Sequence, residues 1–473
     1  MIERLLLFGA TGDLAGRFLL PALAELHDAG RLPEGFQVFG SATSDWDDET
    51  FRRHAAEQLE QPASRDVPAA SREAVVRSLR YRKVDFNDTE QVAGIVAAAS
   101  GGADGTEPRP VAAYLALPSA VFAPAVRALG EVGLPEGSRI VLEKPFGEDL
   151  ESAQALNDLL RRVTGVAGEE AIFRVDHALG MATVQNLVAV RLANRVLEPL
   201  WNSTHIEGVD LFWEETLALE GRASYYDRAG ALKDVIQNHL FQVLCLMAME
   251  PPVSLNERDL RDRKMDVLRS VRPLTEEDVV RQTRRARYTA GRLADTGGAD
   301  GGEVPAYIDE EGVDPSRGTE TYAEIVLEID NWRWAGTRFL LRTGKALDGR
   351  RKEAVVRFRP VPHLPFDEPM PPGNELRIGL DGPYDLALRL TGRAAGPPSH
   401  LAPLTLDKQL PSPDLPAYSR VRMDVLTGDS TLSIRGDEAE ESWRILMPVL
   451  QAWAENRVPL EDYPAGSSGP PPR

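Results

Sequence analysis

An apolar run at residues 5–8 (LLLF) closes on Gly9-Ala10-Thr11-Gly12, and a helical pattern begins at once. From Asp13 onward, Leu14, Phe18, Ala22, Leu23 and Leu26 fall near helical spacing until Gly30 ends the pattern. Strand, glycine loop and helix in this order form the arrangement that holds a pyrophosphate. Glycine lets the backbone approach, and the helix N-terminus offers free N–H groups and a partial positive charge. The glycines are Gly9, Gly12 and Gly16, a GxxGxxxG spacing rather than the commoner GxGxxG. The loop alone leaves two readings level: a dinucleotide site, or a tight turn that needs glycine for geometry. Its position at the first βα turn of the chain favours the dinucleotide. Pro21, inside the helical pattern, predicts a kink or an early break.

The same grammar continues. Strand-like runs at 36–42, 111–117 and 139–142 alternate with helical stretches near 71–80, 89–99 and 120–132. Alternation of this kind predicts βαβ units and a parallel sheet, here a Rossmann-type α/β domain over residues 1–172. Beyond it, 231–249 reads as one long buried helix. Strand-like runs at 206–213, 322–329, 337–343, 353–359 and 421–434 dominate the rest. They predict an α+β domain over 173–473, a large, mainly antiparallel sheet backed by helices. Residues 291–305, 360–372 (with six prolines) and 392–416 read as loops. The string GGADG occurs at 101 and at 297 and reads as coincidence in two loops. The closing YPAGSSGPPPR reads as partly disordered.

Charge narrows the partners. The chain of 473 residues has 54 basic and 73 acidic residues, a net charge of -19. Nucleic acid and anionic membrane surfaces both demand clustered cations, so neither is expected. A single cysteine, Cys245, excludes an intramolecular disulfide and a cysteine-based metal cluster, and no metal is expected. No apolar run approaches the ~18–20 residues of a membrane span, and the N-terminal run lacks a signal-peptide pattern. A cytoplasmic protein is expected. A phosphorylated ligand in so acidic a chain would depend on a few local cations.

The end of the second strand bears on which nicotinamide cofactor fits. An acidic residue there bonds the ribose 2′-hydroxyl of NAD, and an arginine receives the 2′-phosphate of NADP. Residues 41–45 read SATSD, with no arginine and with Asp45 close by. Thr43 and Ser44 retain the ability to hydrogen-bond a phosphate.

Motifs extend nearly end to end: GATGDLAGR (9–17), LALP (115–118), EKPFGEDL (143–150), RVDH (174–177), YYDRAGALKDVIQNHL (225–240), RDRK (261–264), LRTGK (341–345) and YPAG (463–466). On these the chain resembles the glucose-6-phosphate dehydrogenase family. The resemblance implies oxidation of a hexose (6-phosphate) at C1, with hydride passing to NADP or NAD and a lactone as product. Removing the C1 proton suits a histidine oriented by a carboxylate. By matched position these are His239 and Asp176, with Lys144 between sugar and nicotinamide. The competing reading of His239 is a satisfied histidine in an apolar helix. Gly9, Thr11, Gly12, Asp13, Leu14, Thr43, Ser44, Leu117, Pro118, Lys144 and Pro145 are the implied cofactor residues. Glu215 and Asp234 would hold sugar hydroxyls, while His177, Lys345 and Arg350 would line the phosphate pocket. The competing readings are surface for Glu215, beside Glu214, and a solvated turn for Lys345 and Arg350. His27, His54, His205, His363 and His400 lie in no matched motif. The family pattern also implies a homodimer or a dimer of dimers built through the large sheet.

Four positions depart from that pattern. The segment Asp-His-Tyr/Phe-Leu-Gly-Lys here reads Asp176-His177-Ala178-Leu179-Gly180-Met181. A charge-assisted hydrogen bond is worth roughly 1.5–3 kcal/mol. Loss of the lysine at Met181 thus predicts phosphate binding weakened on the order of 10–100-fold, unless another group compensates. Ala178 and Met181 would make a roomier, more apolar corner. Asp381 stands for a glutamine facing the sugar and would add negative charge. Thr43 stands for the arginine that grips the 2′-phosphate, which predicts weak discrimination for NADP. The alternatives to a glucose-6-phosphate dehydrogenase are therefore a dehydrogenase of a non-phosphorylated or amino hexose, or a non-catalytic nucleotide-binding paralogue.

Overall fold

The computed structural model describes the chain except residues 102–106, 220–222, 295–301, 382–384, 395–399, 411–412 and 473. Most of both GGADG strings and the EGR at 220–222 lie outside the described residues. The chain divides into two compact units. The first takes Met1–Met181, Pro252–Asp262 and Pro413–Glu440; the second takes Ala182–Pro251, Arg263–Ser412 and Glu441–Arg473.

Among the described residues of the first unit, six strands form one sheet. Their order is Leu79–Lys83, Gln37–Ala42, Arg4–Phe8, Ala112–Leu115, Arg139–Glu143, Ile172–Val175. Every neighbouring pair is parallel. Numbered by sequence, the order is 3-2-1-4-5-6, that of the doubly wound dinucleotide-binding fold. The central strands explain the choice: Leu5, Leu6, Leu7 and Phe8 are all buried, as a strand covered by helices on both faces requires. Helices are started by local chemistry. Asp47 accepts from Thr50 N at 2.8 Å to start Asp48–Leu59, and Asp149 and Ser152 form a capping box for Leu150–Thr164. The irregularity expected at Pro21 is present as a wide, π-type turn over Ala15–Leu19, with the α-helix resuming as Leu20–Asp28.

The second unit is built on a nine-stranded sheet among the described residues. From one edge it runs Leu401–Gln409, Asp385–Arg393, Glu375–Gly379, Arg351–Phe358, Ile206–Glu214, Arg338–Gly344, Tyr322–Glu328, Thr283–Thr289, Leu460–Pro464. Two pairs are parallel, Arg338–Gly344 with Ile206–Glu214 and Leu460–Pro464 with Thr283–Thr289; the others are antiparallel. The long buried helix expected at 231–249 is present as one run over residues 231–248. Gly230 kinks the chain at φ 68°, a π-type stretch follows over Leu232–Leu240, and an α-helix runs over Phe241–Ala248.

Three expectations are corrected. Residues 421–434 are not a strand: Ala417–Thr427 is helical and ends at Gly428, φ 89°. Val421, Val425 and Leu426 bury one helical face in the core of the first unit, and that tertiary face outweighs their β-branched preference. Residues 392–416 are not all loop, because Leu401–Gln409 is a strand containing Pro403. That strand lies at the sheet edge, where a missing N–H is tolerated. The tail is ordered where it packs. Tyr463 is fully buried, and the Pro471 carbonyl accepts from Arg284 Nη2 at 2.6 Å.

Candidate active site

Because the first sheet is wholly parallel, every strand ends on the same edge, the edge where ligands of this fold bind. The residues implied for the cofactor follow these ends: Gly9, Thr11, Gly12, Asp13 and Leu14 after Arg4–Phe8, Thr43 and Ser44 after Gln37–Ala42, Leu117 and Pro118 after Ala112–Leu115, Lys144 and Pro145 after Arg139–Glu143. Asp176 follows Ile172–Val175. The glycine loop is set by close approach. Gly9 has φ +79°, and a Cβ there would lie 2.1 Å from the Ala116 carbonyl oxygen. Gly9 N and Ala10 N both donate to Ser41 O, at 2.8 and 3.0 Å. Gly16 serves packing instead, since a Cβ there would meet the Gln58 side chain at 2.7 Å. Thr43 is exposed, and Asp45 beside it pairs with Lys83 at 3.9 Å. The Lys144–Pro145 peptide is cis.

Asp176 is buried and accepts from Ala178 N at 2.9 Å, opening a short turn over His177–Gly180. The helix Ala417–Thr427 packs on this turn so tightly that a Cβ on Gly180 would lie 2.4 Å from Ala417 O. Ala178 is fully buried there, so it lines no roomier corner; Met181 is half-buried. Tyr418 of that helix stacks on His177 (centroids 4.7 Å, 11°) and on Phe18 (4.8 Å, 20°). Burial pushes its hydroxyl pKa up, and Glu143 adds to the rise. Arg422, one turn on, donates to buried Glu143 at 3.0 Å, and Tyr114 donates to the same carboxylate. Sequence reasoning missed Tyr418 and Arg422, because the segment from residue 421 on read as a strand, which hid the helix Ala417–Thr427 that carries them.

In the second unit His239 is buried on the π-type stretch and stacks on Trp213 (5.1 Å, 26°). Such wide turns concentrate at functional sites. Asp234 lies one turn earlier and accepts from the Tyr225 hydroxyl at 3.4 Å. Strand alternation separates the two neighbouring glutamates. Glu214, with Phe212, faces Arg342 and Arg351. Glu215, beyond Trp213, faces Lys345 at 2.8 Å and Lys352 at 3.6 Å. Burial raises the Glu214 carboxyl above its usual range despite Arg342. Burial would raise Glu215 too, but the two lysines outweigh it and hold it at about 2. Glu215 is thus no loose surface carboxylate.

Backbone bonds lock the lysine turn. Glu215 N donates to Gly344 O at 2.9 Å, and Leu347 N donates to Glu215 O at 3.0 Å. The C-terminal segment then grips it: the Tyr463 hydroxyl donates to Lys345 O at 2.7 Å, and Gly466 N to Ala346 O at 2.8 Å. Lys345 is therefore not in a solvated turn, whereas Arg350 is exposed. Asp381 pairs with Arg350 and, at 3.3 Å, with Lys352. Lys352 was not singled out by sequence reasoning; its place in a charged RRKE string gave no signal of the face it takes.

Comparison with known proteins identifies the family. Family models for the glucose-6-phosphate dehydrogenase NAD binding domain and C-terminal domain match residues 6–186 and 188–472. The glucose-6-phosphate 1-dehydrogenase of Mycolicibacterium smegmatis is 40% identical over 475 residues, covering 98% of this chain and 93% of the relative. The chain belongs to the glucose-6-phosphate dehydrogenase family. A solved glucose-6-phosphate dehydrogenase in complex with its substrate glucose-6-phosphate superposes with a TM-score of 0.86 at 30% identity, covering 98% and 95% of the two chains. The enzyme from Mycobacterium avium superposes with a TM-score of 0.83 at 33% identity, covering 99% and 96%. As a member of this dehydrogenase family the chain is an oxidoreductase with a nicotinamide-dinucleotide domain. No helix among its described residues is long and apolar enough to cross a membrane.

Proposed function

We propose that this chain is a glucose-6-phosphate 1-dehydrogenase, oxidising its substrate at C1 to the lactone with NADP or NAD. The observation that carries the reading is the face around His239. A buried imidazole on Trp213 shares that face of the sheet with Glu215, and Glu215 joins Lys345, Lys352, Asp381 and Arg350 in one chain of ion pairs. Carboxylates suit sugar hydroxyls, and cations suit a phosphate. In this reading His239 takes the C1 hydroxyl proton at an imidazole nitrogen, and Asp176 is the carboxylate that the family resemblance assigns to orient it. Glu215 and Asp234 accept from sugar hydroxyls, and His177, Lys345 and Arg350 serve the phosphate.

The glycine loop fits a dinucleotide by its place after the first strand of a parallel sheet in 3-2-1-4-5-6 order. Residues Gly9 to Leu14 would hold its pyrophosphate, and Thr43 and Ser44 its adenosine ribose. When bound, the nicotinamide supplies the hydride acceptor. Lys144, Pro145, Leu117 and Pro118 position it. Discrimination between NAD and NADP is weak in this proposal: beside Thr43, Asp45 pairs with Lys83, so that acid and that base offset each other. Leu404 and Leu406, exposed on the outermost strand of the large sheet, support a homodimer.

No observation favours the amino-sugar alternative, since the charge of Asp381 is answered by Arg350 and Lys352. The test is initial-rate kinetics with glucose 6-phosphate and glucose, each with NAD and NADP, on the wild type and His239→Asn. The wild type is expected to prefer the phosphate ester. His239→Asn is expected to keep cofactor binding and lose ~10²–10⁴-fold in kcat. Preference for glucose, or no turnover of either sugar, would refute the proposal.

A further inference from the structure

We propose that Lys352 is a specificity-determining residue for the substrate phosphate, supplying the positive charge that Met181 cannot. The inference rests on the function proposed above and names the group that makes it workable. Lys352 is the second residue of the strand Arg351–Phe358, and the register opposes it to Trp213. Its neighbour Arg351 turns to the other face, over the Phe212 ring at 3.4 Å. Alternation therefore puts the Lys352 ammonium on the face of Trp213, 4.5 Å from the ring centroid, and Trp213 stacks on His239.

The ion pairs show what Lys352 adds. Lys345 with Glu215, and Arg350 with Asp381, would be two complete pairs without it. A neutral pair offers a dianionic phosphate little. Lys352 enters between them, 3.6 Å from Glu215 and 3.3 Å from Asp381, so the ion pairs hold three cations against two carboxylates, and the third cation offsets Asp234, the further carboxylate that acts on Glu215. Its contacts are longer than the 2.8 Å bond of Lys345, so it is the cation cheapest to redirect. Its side chain is only 12% exposed, and a partly desolvated ammonium on a flexible stem interacts more strongly than a hydrated one. Asp381, which in isolation would repel a phosphate, holds this lysine in place.

The experiment compares kcat and KM for glucose 6-phosphate and glucose in the wild type, Lys352→Met and Lys352→Arg, with inhibition by inorganic phosphate measured alongside. For Lys352→Met, KM for glucose 6-phosphate should rise ~10–100-fold and the phosphate inhibition constant should rise with it. The kcat/KM for glucose should fall by less than that for glucose 6-phosphate, so the preference for the phosphate ester should drop. Lys352→Arg should recover most of the loss, which a merely structural lysine on this strand would not require. An unchanged KM for the phosphate ester in Lys352→Met, or an equal loss with both sugars, overturns the inference while leaving the proposed function standing. A wild type that does not favour the phosphate ester overturns both.

Discussion

Replacing Glu215 with Gln removes the carboxylate that Lys345 and Lys352 share. Burial alone would raise this carboxyl, yet the ammonium groups at 2.8 and 3.6 Å hold it at about 2 against an ordinary 4.5. Each pKa unit is ~1.36 kcal/mol, so the shift corresponds to about 3 kcal/mol of folding stability at neutral pH. The three side chains are 25%, 17% and 12% exposed, so solvent screening trims this figure without removing it. The sign follows from the depressed pKa of the folded state. The contribution is complete above the unfolded value and is lost as pH falls through the folded one. Urea unfolding followed by tryptophan fluorescence reads the right unit, because every tryptophan except Trp46 lies in the second. Glu215→Gln should cost about 2 kcal/mol at neutral pH after that trimming, and the deficit should begin to narrow only once the pH falls below the ordinary glutamate range. A deficit below about 1 kcal/mol at neutral pH, or one that grows on acidification, would refute the charge argument.

Gly9→Ala should abolish or severely weaken dinucleotide binding, read by quenching of nicotinamide fluorescence, and should destabilise the first unit. The new methyl meets the Ala116 carbonyl at 2.1 Å, and φ +79° adds about 1–2 kcal/mol of backbone strain. Arg422→Met removes the cation paired with the buried Glu143, leaving the Tyr114 hydroxyl as its side-chain donor among the described residues, and should cost about 3 kcal/mol in thermal or denaturant unfolding. Thr43→Arg should raise the ratio of kcat/KM for NADP over NAD by ~10-fold or more, since an arginine there gains a charge-assisted bond to the 2′-phosphate; an unchanged ratio would place the 2′-phosphate elsewhere.

The first unit was legible because its signals are local. A short apolar run, a glycine loop and a helical repeat lie in consecutive residues, and alternation of such units implies a parallel sheet. The second sheet was legible in class, though the strand at Leu401–Gln409 hid behind its proline and the helix at Ala417–Thr427 behind its valines. The candidate residues were named by motif, but their surroundings were not.

By itself, the sequence determined the family, the doubly wound first unit and the residue types available for chemistry. Tertiary structure decided which charges count. Glu215 meets a lysine 130 positions away, and Asp381 is neutralised by Arg350 from 31 positions back. Lys352 reaches the face of His239 only because its strand pairs with Ile206–Glu214 in one register and not its neighbour. A one-residue slip would have turned it to the opposite face. Backbone conformation and periodicity are set by consecutive residues. The electrostatics of a pocket is set by which distant strands become neighbours, and a linear string does not state that.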